Sequence, residues 1–109
     1  MEKTVDVMNI AELPAQEMLS ILRQGSLLRL PHLEGRLQQA QKQIIRFETT
    51  YGLTFAELAA QGLPNDADYQ THEDFIEWEY WQDVHNETQL IVKNIKKILI
   101  KAEEVSVFP

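Results

Sequence analysis

Apolar residues recur along the chain in the three- and four-residue steps of an α-helix, and the alternation of a strand is confined to a few positions near the start. The longest unbroken helical pattern is Phe75 to Ala102, FIEWEYWQDVHNETQLIVKNIKKILIKA, which holds both tryptophans and neither Gly nor Pro. With Trp78, His85, Val92 and Leu99 at heptad position a, Trp81, Thr88, Ile95 and Ala102 fall at d. A third column, Val84, Ile91, Ile98 and Val105, falls at g, so the apolar face is broader than one partner helix needs. A second run, Leu30, Leu33, Leu37, Ala40, Ile44, Phe47 and Tyr51, steps through three heptads with Glu34, Gln41, Gln43 and Glu48 beside it. That seam is narrow.

Punctuation residues divide the pattern into elements of a single domain, 1–109. Residues 1–12 read as a flexible arm or, from the alternation around Val5 and Val7, a short strand. Pro14 opens a helix over 14–24 that Gly25 stops. A second helix runs over 31–51 from Pro31, or starts earlier at a Ser26 cap with Pro31 as a kink, and ends at Gly52. Thr54 with Glu57 three residues on forms a capping box for a short helix over 54–61. Gly62, Pro64, Asn65 and Asp66 mark a turn, Thr71 with Asp74 caps a long helix over 73–103, and 104–109 is a tail.

The two long seams match if they run antiparallel, with Tyr51 beside Trp78, Ile44 beside His85, Leu37 beside Val92 and Leu30 beside Leu99. Only the His85 rung is not apolar on both sides. The expected fold is therefore all-α, a long antiparallel helical hairpin with a short N-terminal helix. The surplus g column predicts a homodimer that completes a four-helix bundle.

Charge alters this picture more than composition does. The net charge is −7, and between Arg46 and Lys93 there is no Lys or Arg but ten acids, Glu48, Glu57, Asp66, Asp68, Glu73, Asp74, Glu77, Glu79, Asp83 and Glu87. The hairpin gathers these at its connection end and gathers Arg23, Arg29, Arg36, Lys93, Lys96, Lys97 and Lys101 at the other. An acidic helix start and a basic helix end also suit the helix dipole, which needs no partner. The same field, with aromatics among the acids, suits docking on a basic protein. The heptad assignment buries Tyr51, Trp78 and Trp81 and leaves Ile76 and Tyr80 outward. The candidate partner-binding set is Asp66, Asp68, Tyr69, Asp74, Ile76, Glu77, Tyr80 and Asp83. An acidic balance argues against direct nucleic-acid binding.

Other features bound the function without naming it. With no cysteine there is no disulfide or thiolate metal site. No apolar run reaches the ~20 residues of a membrane span, and MEKTVDVMNI does not read as a secretory signal. The expected location is cytoplasmic. Oxygen-rich groupings around His72, Glu73 and Glu77, or Asp66 and Asp68, lack the Glu-x-x-His pairs of di-iron bundles. His85 reads as a seam histidine. Glu73-Asp74-x-x-Glu77 is similar to the acidic magnesium motif of all-helical nucleotide pyrophosphatases, but the second half is missing, because Leu90 stands where Glu87 would need an Asp. Such an Mg-dependent enzyme is one alternative, and a ligand-free assembly scaffold is another.

Phe47, Tyr51-Gly52, Phe55, the Asp66-x-Asp68-Tyr69 turn and Phe75-Ile76-Glu77-Trp78 together resemble the small helical-hairpin antitoxins encoded beside RNase-type toxins in bacteria and archaea. The resemblance spans about half of the chain and leaves out the first residues and the VSVFP tail. It implies a non-enzymatic protein without a cofactor that masks a basic partner such as an RNase toxin, and it carries over no catalytic residue.

Overall fold

The computed structural model describes residues 12–107, with side chains described for 12–104. The expectation of an arm or strand over 1–12 lies outside the described residues except for Glu12. Three helices follow in order: α1, Ala15–Tyr51; α2, Phe55–Gln61; and α3, Tyr69–Val107. Among the described residues there is no strand. The all-α class and the long helix pair are those expected from the heptad pattern.

α1 and α3 run antiparallel. Passing back along α1 from Tyr51 through Gln41 to Glu34, the partners advance along α3. Tyr51 stacks on Trp78 with ring centroids 5.8 Å apart, Gln41 Nε2 lies 3.5 Å from His85 Nε2, and Glu34 Oε2 lies 3.5 Å from Lys96 Nζ. The last two contacts are solvent-exposed and contribute little stability, but they mark the register. Burial supplies the stability. Every residue of the α1 seam from Leu30 to Tyr51 is buried or half-buried, as is every a and d position of α3 from Trp78 to Ala102. Each Leu, Ile or Val so buried is worth about 1.5–3 kcal/mol.

The g column is largely covered inside the hairpin. Val84 is buried and Ile98 half-buried, while Ile91 remains 45% exposed. Among the described g residues, the need for an outside partner is therefore confined to Ile91.

Two boundaries differ from expectation. Helices over 14–24 and 31–51 are one continuous α1, with Gly25, Pro31 and Gly35 in its interior. Pro31 leaves the Leu27 carbonyl without its helical donor and crowds it, at about 3 kcal/mol. Continuity survives because the burden falls on the solvent side. Pro31 is exposed, while Ser26 before it and Leu33 after it are buried on the inner face. Ser26 and Ile95 of α3 line the same apolar hollow, so packing spans the weak point. A break there would forfeit more buried surface than it relieves. α3 also starts earlier than 73 and continues past 103 to Val107.

Gly52, by contrast, ends α1 as the spacing predicts. Its φ of 72° is left-handed and its N–H donates to the Glu48 carbonyl at 2.7 Å. A side chain at Gly25 or Gly35 would meet nothing within 4 Å. Hence Gly25→Ala and Gly35→Ala should each stabilise by about 0.5–1 kcal/mol, and Pro31→Ala by roughly 2–3 kcal/mol. Gly52→Ala should destabilise by about 1 kcal/mol through the strained φ. Urea denaturation of the four variants checks both signs.

Candidate partner-binding surface

The closed end of the hairpin is built around Trp78, fully buried with Phe47, Ile44 and Leu58. Phe47 and Tyr51 of α1 stack on its indole at 5.6 and 5.8 Å. Phe55 of α2 meets it edge-on at 5.6 Å and leans on Phe75 at 5.2 Å. Such aromatic pairs add about 0.5–1.5 kcal/mol each beyond the area they bury. Among the described residues the indole N–H of Trp78 has no hydrogen-bond partner, so the indole is held by these ring contacts.

α2 is placed to close this cluster by the capping box foreseen in the sequence. Glu57 N–H donates to Thr54 Oγ1 at 3.2 Å, and Thr54 N–H donates to Glu57 Oε1 at 2.8 Å. Only then does Leu58 point inward. The second cap differs from expectation. Asp68, not Thr71, starts α3, accepting from Thr71 N–H on Oδ1 at 2.8 Å and from His72 N–H on its carbonyl at 3.2 Å. Thr71 is thus the third residue of the first turn. Hydrogen bonds from its side chain and then its backbone hold the Asp68 carboxyl below the usual carboxylate range. That contribution to stability is present above the ordinary Asp value and is lost as pH falls through the lowered one.

The eight candidate residues divide into two groups. Asp74 and Glu77 turn toward α1. Asp74 accepts from the Tyr51 hydroxyl at 2.6 Å and from Gln70 Nε2 at 2.8 Å. Glu77 pairs with Arg46 at 3.3 Å and accepts from the Trp81 indole at 3.4 Å, and Arg46 itself lies 4.3 Å over the Phe47 ring. These acids fasten the hairpin. Asp68 is occupied as a cap and Asp66 sits exposed in the turn before it.

The second group is outward. Tyr69 is 78% exposed, Ile76 62% and Tyr80 55%, and Asp83 is exposed and makes no ion pair among the described residues. Their spacing places all four on the side of α3 away from α1. Tyr69 donates to Glu73, which with the charge of that carboxylate pushes its phenol above the ordinary value. Tyr80 meets Trp81 edge-on at 5.0 Å, its ring supported from beneath. Glu79 and Glu87 are also exposed beside this stripe and were missing from the candidate set, although the same helical spacing would have found them.

Among the described residues no three His, Asp or Glu side chains are placed to hold a metal ion. Among them also, no helix is long and apolar enough to cross a membrane. Compared with known proteins, the chain matches no family model, no curated protein and no solved structure.

The Tyr51 to Asp74 contact can be tested by titration. Burial first, and the bond to Asp74 second, raise the Tyr51 phenol above its ordinary value. The neutral form is the one the fold holds, so its contribution is complete below about pH 10 and disappears as pH rises through the folded-state value. Tyr51→Phe should cost about 1 kcal/mol at pH 7 and should flatten the alkaline fall in stability, measured by urea denaturation from pH 7 to 11. An unchanged alkaline slope would place that titration elsewhere.

Proposed function

We propose that the protein is a non-enzymatic, antitoxin-like interaction module whose acidic aromatic tip masks a basic protein partner, such as an RNase toxin. The observation that carries this reading is the outward stripe of α3, where Tyr69, Ile76 and Tyr80 stand in water among Glu73, Glu79 and Asp83. Isolated helices shed such apolar groups from their solvent side, whereas interfaces use them as anchors. A ribonuclease groove is basic because it receives a polyanion. An acidic surface with aromatic anchors competes for the same groove, with the charge speeding encounter and the rings slowing release.

The anchors also have a rigid base. Tyr80 rests edge-on against Trp81, and Ile76 stands on a helix whose inner face is fixed by Phe75 and Trp78, so little backbone ordering remains to be done on binding. Asp74 and Glu77 act indirectly, by holding α3 to α1.

The test is suppression of RNA cleavage by the cognate basic protein in a purified mixture. Wild-type chain should bind and inhibit. Tyr69→Ala with Ile76→Ala should weaken binding by at least about 30-fold, the loss of one hot-spot anchor or more, with helicity by circular dichroism unchanged because both residues are outside the core. Asp74→Asn should instead lower stability more than affinity. Full inhibition by the Tyr69, Ile76 double variant would overturn the assignment.

A further inference from the structure

The solvent side of α3 changes sign along its length. Up to Lys101, its first half carries Glu79, Asp83 and Glu87 and its second half Lys93, Lys97 and Lys101, all exposed, with the exposed Glu103 and Glu104 following at the end. Between the halves stands Leu90, 59% exposed, and Ile100 lies near the far end, 61% exposed. Lys97 and Lys101 enter no ion pair among the described residues. A helix face that is apolar at its midpoint and oppositely charged on either side is complementary to itself under a twofold rotation.

We propose that a second copy of this chain docks there, α3 against α3, antiparallel, with the twofold axis at Leu90. In that register Leu90 meets its own counterpart and Asp83 lies opposite Lys97 on both sides of the axis. Glu79 lies opposite Lys101, and Tyr80 opposite Ile100, so that two exposed apolar side chains meet at each end of the charged pairs. A parallel arrangement sets acid on acid and base on base, so charge selects the antiparallel one. The contact is isologous, as a closed dimer requires. It differs from a four-helix bundle closed over the g column, because only Ile91 of the described g residues is exposed on that face.

The strip spans α3 from about residue 76 to 104, or roughly 40 Å at ~1.5 Å per residue. With a contact width of about 10 Å, it buries on the order of 800 Å² in total, the size of a weak and transient interface. Association should therefore be weak and should weaken further with salt. The inference does not rest on the masking reading, since it concerns the purified chain alone. Tyr80 and Asp83 serve both contacts, so over that stretch the dimer and the masked complex exclude each other.

Sedimentation equilibrium of the full chain from about 5 to 500 µM at low salt tests this directly. Wild type should show a monomer to dimer transition. Asp83→Lys and Lys97→Asp should each weaken it by about tenfold or more, and the double charge swap should restore it, which no merely structural role of either residue would do. As an independent readout, Leu90→Cys in this cysteine-free chain should form a disulfide-linked dimer under mild oxidation. Ile45→Cys, exposed on the outer side of α1, should not. A monomer at every concentration, single variants that dimerise like wild type, or a double swap that fails to restore association would each overturn the proposal.

Discussion

The stack of Tyr51 and Phe47 on Trp78 is the contact on which the rest of the hairpin depends. It joins the last turns of α1 to the first turns of α3, and α2 closes over it through Phe55 and Leu58. Once that junction is set, the antiparallel seam can only run back along both helices, because each later layer lies one heptad further from the tip. The hairpin is an elongated pair of helices with a short helix at its closed end. Its radius of gyration of 20.7 Å far exceeds the ~13 Å of a compact chain of this length. Most residues therefore touch water on one side, and the tip cluster bears a large share of the cooperative burial.

Because the helices are long and antiparallel, charge that is merely sequential becomes spatial. Acids from Glu48 to Glu87 gather about the aromatic junction, and the lysines from Lys93 onward lie toward the open end with Arg29 and Arg36. The tip is thus both the best-packed and the most negative part of the molecule. Packing at its interior and exposure at its surface follow from one fact. The helix has more large apolar and aromatic residues in its first four turns than α1 and α2 cover, and Tyr69, Ile76 and Tyr80 are the remainder. Partner masking and self-association both draw on that remainder.

α1 records a conflict between local preference and tertiary gain. Gly25, Pro31 and Gly35 each disfavour helix by roughly 1–3 kcal/mol. The segment is nevertheless helical throughout, since Ser26, Leu33 and Ala40 can reach the seam together only if no residue between them leaves the helix. Propensity is local and small per residue, whereas burial on a shared face accumulates along the helix.

The heptad pattern by itself determined the fold class, the antiparallel pairing of Tyr51 with Trp78, the Gly52 stop and the Thr54 to Glu57 box, because each depends on spacing within a few residues. It also placed Ile76 and Tyr80 on the outside, since periodicity alone fixes which face is which. What only the tertiary structure decided was the use of each acid. Asp68 became a cap, Asp74 and Glu77 became fasteners for Tyr51 and Arg46, and Asp83 was left to solvent, although all four look alike in the chain. The pairing partner of a carboxylate lies across the hairpin, more than twenty residues away for Asp74 and Glu77, and no local pattern carries the distance between two helices. The continuity of α1 through Pro31 was decided in the same way, by surface that exists only once α3 lies against it.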